Sequence, residues 1–66
     1  MSYRDRIKEL VPSYDPRHVE AYMRCEHGTL DHLSPKAFVI EVAVAATCVE
    51  TGGRDQAEAL AKSYGL

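Results

Sequence analysis

This chain has little of what small proteins use to staple themselves together or to do chemistry. Its 66 residues include two cysteines, Cys25 and Cys48, too few for the dense disulfide framework of a small secreted domain. It has no surplus of positive charge: the net charge of −2 is the wrong sign for a chain that holds phosphates by charge alone. The longest apolar run, AFVIEVAVAATCV, is broken by Glu41 and falls short of the roughly 20 residues that span a bilayer. No glycine-rich phosphate loop, no G-x-S-x-G and no H-E-x-x-H occurs, so the familiar phosphate-binding, acyl-transfer and zinc-hydrolase chemistries have no motif to stand on.

What is present belongs to an ordinary globular domain. An apolar fraction of 45% beside a charged fraction of 27% argues against a disordered or solvating tail. So short a chain buries only about 60% of the surface its unfolded form exposes, so it needs very regular helix packing, a metal or a partner. The start, MSYRDRIKEL, is charged from residue 4 onward and has no apolar core, so the expectation is a chain without a secretory leader, in the cytoplasm with both thiols reduced.

The punctuation predicts one all-α domain over 1–66, with four helices at about 2–11, 15–27, 34–51 and 55–64. Ser2 can cap the first, with Asp5 in capping-box position, and Pro12 ends it. Tyr14-Asp15-Pro16 opens the second with staple residue, N-cap and N1 proline in that order, and Gly28 stops it. Leu33-Ser34-Pro35 repeats the device for the third, which closes at Gly52-Gly53. Asp55 with Glu58 suggests a capping box for the fourth, which runs to Gly65.

The third segment carries the β-branched Val39, Ile40, Val42, Val44 and Val49, and the alternation of Ile40, Val42 and Val44 would suit a strand. Its capped proline start, its alanines and its length of about 17 residues favour a helix. That helix is apolar nearly all round. Phe38, Val42, Ala45, Ala46 and Val49 form one stripe, while Ala37, Ile40, Val44 and Cys48 lie roughly opposite. The expectation is therefore a four-helix domain packed around this central apolar helix, either as a monomer or as a homodimer whose second face meets its symmetry mate.

Candidate chemistry is sparse. Cys25, His27 and His32 cluster, and Cys48 could complete a zinc-type set, but the spacing does not match the paired short loops of structural zinc sites. Cys25 and His27, two apart on a helix, point away from each other and make no nucleophile–base pair. Ser13, Asp15 and His18 read as capping and first-turn residues. No catalytic, metal or cofactor residue is assigned, and an enzyme is not expected.

Two binding roles remain. The first is a protein-interaction or regulatory module acting on a protein partner, itself included, through an apolar helix face. Its candidate anchors are Ile40 and Val44, or the amphipathic Tyr3, Tyr14 and Tyr22. The second is a nucleic-acid-associated regulator using Arg4, Arg6, Lys8, Arg17 and Arg24 of the first two helices. The ending LAKSYGL resembles the first half of a helix-turn-helix, with a small residue in the helix and a glycine in the turn. That resemblance covers about ten residues, and with nothing after Leu66 to read bases the ending is expected to be a Schellman-type stop. Nucleic acid and membrane are the disfavoured partners.

Overall fold

The computed structural model describes residues 2–66. Four helices follow one another: α1 (Tyr3–Leu10), α2 (Pro16–His27), α3 (Pro35–Gly52) and α4 (Arg54–Ser63). Three of the starts are written in the capping residues. Ser2 Oγ accepts from the Asp5 N–H at 3.2 Å, Asp15 Oδ1 from the Arg17 N–H at 3.0 Å, and Ser34 Oγ from the Ala37 N–H at 3.1 Å. Pro16 and Pro35 occupy N1, where no amide hydrogen is needed. The β-branched third segment is helical throughout, because its neighbours bury Phe38, Val42, Ala45, Ala46 and Val49 as one stripe and packing outweighs the weak β preference.

The start of α4 differs from expectation. Gly53 is at once the C-cap of α3 and the N-cap of α4, at φ 86° and ψ 162°, a region open essentially to glycine alone. The helix therefore begins at Arg54, which puts Asp55 inside the first turn rather than at the cap. No side chain caps this helix, and Glu58, expected to return the capping box, turns towards α2 instead. The end of α4 is a Schellman closure: Gly65, at φ 75°, donates to the Lys62 carbonyl at 3.0 Å and Leu66 to the Ala61 carbonyl at 2.9 Å.

The core is Ile7 from α1, Val19 and Met23 from α2, Leu30 from the linker, Phe38, Val42, Ala45 and Val49 from α3, and Ala57 from α4. The four-helix class is as expected, but the central element is different. α2, not α3, is enclosed: His18, Val19, Glu20, Ala21 and Met23 are all buried. Its three sides face three neighbours. Val19 and Met23 point into the core, Glu20 meets Arg4 of α1, and Arg17 meets Glu58 of α4. Ala21 shares that last side by helical spacing, and Ala21, Ala57 and Ala61 are fully buried; such small side chains suit close packing of α2 with α4. α3 is covered along one stripe only.

Candidate functional site

The uncovered side of α3 is the candidate site. At 100° per residue, Lys36, Ile40, Ala43, Val44, Thr47 and Thr51 fall within about 60° of one direction, opposite the buried stripe. All six are exposed. Ile40 keeps 53% of its surface in solvent, Val44 45% and the flanking Val39 42%. The polar atoms among the central positions are partly spoken for, since Thr47 Oγ1 donates to the Ala43 carbonyl within the helix at 3.0 Å. The centre of this face presents methyl groups to water. On one flank, Ala37, Glu41 and Cys48 are half-buried, and Glu41 Oε1 accepts from His27 Nε2 at 3.0 Å.

The structure thus brings Ile40 and Val44 together on one accessible surface. The three tyrosines lie elsewhere and are occupied within the chain. The Tyr3 ring stacks on Phe38 with centroids 5.8 Å apart, and its hydroxyl donates to Asp31. Tyr14 packs on the core and donates to Glu50 Oε2 at 2.9 Å. Those hydrogen bonds to carboxylates raise both phenol pKa values above their ordinary position. Tyr22 also packs on the core, with its hydroxyl buried and unpartnered.

The five basic residues of α1 and α2 do not gather into one patch. Arg4 Nε and Arg24 Nε hold the two oxygens of Glu20 at 3.2 and 2.8 Å. Arg17 binds Asp15 at 2.9 Å and Glu58 at 3.1 Å, and the Arg6 guanidinium sits 5.9 Å from the centroid of the Phe38 ring. Lys8 lies exposed in the last turn of α1. Ion pairs neutralise most of the charge that a phosphate would need.

Two polar residues of α2, Glu20 and the first-turn His18, lie inside the fold. Both are buried, at 2% and 5% exposure. The only signal for Glu20 was its i, i+4 spacing to Arg24; Arg4 reaches it across the α1–α2 packing. His18 Nε2 lies 3.5 Å from Glu58 Oε1 and makes no hydrogen bond, and nothing local in the sequence announces that meeting.

The cysteine and histidine constellation is dispersed. Cys25 is exposed on α2 and Cys48 half-buried on α3, while the His27 and His32 rings approach to 5.7 Å. Among the described residues no group of three or more His, Cys, Asp or Glu side chains is arranged to hold a metal ion, and no helix is long and apolar enough to cross a membrane. Comparison with protein-family models, with curated proteins and with solved structures found no match to this chain.

Proposed function

We propose that this protein is a small, non-enzymatic interaction module that engages a helical protein partner through the outward face of α3. The observation that carries the reading is the exposure of Val39, Ile40 and Val44 along one helix whose other large apolar side chains are buried. A chain this short has little apolar surface to waste, and three β-branched side chains left in water on one face are burial that a partner would complete. Anchors spaced i, i+4 on a helix, as Ile40 and Val44 are, suit recognition between helices. The two unpaired thiols fit a reducing compartment, so the proposed place of action is the cytoplasm.

The ion pairs around Glu20 and Arg17 speak against the nucleic-acid alternative, whose arginines would have to leave their carboxylates to reach phosphate. The interaction reading is tested with a photo-crosslinking residue at position 40, followed by purification of the captured partner and calorimetric titration. Val44→Glu is expected to weaken that affinity by at least about 30-fold while the helical circular dichroism stays unchanged. An affinity indifferent to Val44→Glu would overturn the reading.

A further inference from the structure

Of the four helices, α3 alone has no acidic residue in its first turn and no basic residue in its last. Its end charges run the other way. Lys36 stands one residue after Pro35, beside the positive end of the helix dipole, and Glu50 lies in the last turn, beside the negative end. Each is unfavourable to its own helix. Both are exposed; among the described residues Lys36 makes no ion pair, and the Tyr14 hydroxyl occupies only Oε2 of Glu50.

An antiparallel neighbour of the same sequence would reverse this mismatch. At 100° per residue, Lys36 and Glu50 lie on the same flank of the outer face, about 40° apart around the helix and about 21 Å apart along it. Midway between them is Ala43. A two-fold axis there, perpendicular to both helices, reverses the chain direction and keeps like flanks together. Lys36 then comes level with Glu50 of the second copy, beside the negative end of that copy's α3, and the same meeting recurs at the other end. Val39, Ile40, Ala43, Val44 and Thr47 lie between the two charge pairs, and the small Ala43 at the crossing point lets the helices approach to the usual 8–10 Å or so.

We infer that the occupant of the α3 face is a second copy of this chain, packed antiparallel about a two-fold axis at Ala43, with Lys36 paired to Glu50 of the other copy at both ends. This names the partner of the interaction face and rests on that reading. Each copy uses the same patch, as a closed two-fold requires. A single helix face is smaller than the roughly 800 Å² per partner of a standard stable interface, so the dimer belongs to the weak, exchanging class.

Sedimentation equilibrium between about 10 µM and about 1 mM is expected to show a dimer fraction that rises with concentration. Lys36→Glu should move the midpoint up at least about tenfold, and Lys36→Glu with Glu50→Lys should bring it back. In a Cys25→Ser/Cys48→Ser background, Lys36→Cys combined with Glu50→Cys should give a disulfide-linked dimer on mild oxidation, and Lys36→Cys alone should not. Cross-linking by Lys36→Cys alone would indicate a parallel pair and overturn the inference, as would a wild-type protein monomeric at the highest concentration. The variant Ile40→Lys/Val44→Lys separates the two readings. If the wild type does not dimerise and this variant melts as the wild type does, self-pairing falls and the free interaction face stands; if the variant is unfolded, the monomer needs that face and both fall.

Discussion

Arg17 on α2 and Glu58 on α4, 41 residues apart in sequence, meet at 3.1 Å and tie the two helices together. The same guanidinium holds Asp15 at 2.9 Å, so one cation serves the cap of its own helix and the flank of α4. His18, buried beside them, directs Nε2 at Glu58 Oε1 from 3.5 Å. Hydrogen bonds from Arg17, with its charge adding to them, hold the Asp15 and Glu58 carboxyls below the ordinary carboxylate range and push the Arg17 guanidinium up.

That depression gives stability a direction in pH. A carboxyl whose folded pKa lies below its unfolded value contributes fully above the unfolded value, near pH 4, and loses the contribution as pH falls through the folded one. Urea unfolding at pH 7, 5 and 3 should therefore show a midpoint that is steady from 7 to 5 and drops below about 4. Arg17→Met should flatten part of that drop; a pH profile identical to wild type would remove Arg17 as its cause. The groups are partly solvated, and the effect should be correspondingly modest.

Glu20 is a buried carboxylate with two arginine partners. Removing one leaves the other, whereas removing both strands a charge that only burial surrounds. Arg4→Met and Arg24→Met should each cost about 1 kcal/mol or less, and the double variant about 3–5 kcal/mol, more than the sum. Additive values in denaturant titrations would show that Glu20 finds solvent when its partners go.

At the end of α3, a Cβ on Gly52 would stand 2.7 Å from Tyr22 Oη, a hydroxyl that is buried without a hydrogen bond. Gly52→Ala should therefore destabilise the wild type although alanine is the better helix former. In a Tyr22→Phe background only the end of the exposed Gln56 side chain, 3.2 Å from that Cβ, has to give way, and Gly52→Ala should stabilise by about 0.5–1 kcal/mol. A double-mutant cycle without that change of sign would mean that the Tyr22 ring moves freely.

Two isoleucines offer a direct contrast between core and surface. Ile7 is fully buried and Ile40 is 53% exposed. Ile7→Ala should cost about 2–5 kcal/mol, much of what a chain of this size has in total. Ile40→Ala, measured in dilute solution where the chain is monomeric, should stay within about 0.5 kcal/mol. Equal losses from the two thermal melts would place Ile40 in the core.

Much of the helical layout was legible because caps are local. Ser2, Asp15-Pro16 and Ser34-Pro35 act on the amides of the next turn, and Gly53 and Gly65 turn the chain at positive φ, so neighbouring residues suffice to place those ends. The buried stripe of α3 was legible for a similar reason: helical periodicity alone separates Phe38, Val42, Ala45, Ala46 and Val49 from Ile40 and Val44. Even the start of α4 went astray for a local reason, since Gly53 begins the helix before Asp55 can cap it.

Periodicity could not say which apolar face would be covered, because coverage depends on how many helices can surround one helix. α2 took the enclosed place, burying His18 and Glu20, because Arg4 from α1 and Arg24 of its own next turn could satisfy Glu20 and because alanines dominate the buried side of α4. With α2 enclosed, three short helices were too few to wrap α3 as well. The sequence by itself determined where the helices are and which faces are greasy; the tertiary packing decided that one greasy face, bounded by Lys36 and Glu50, stays open to solvent.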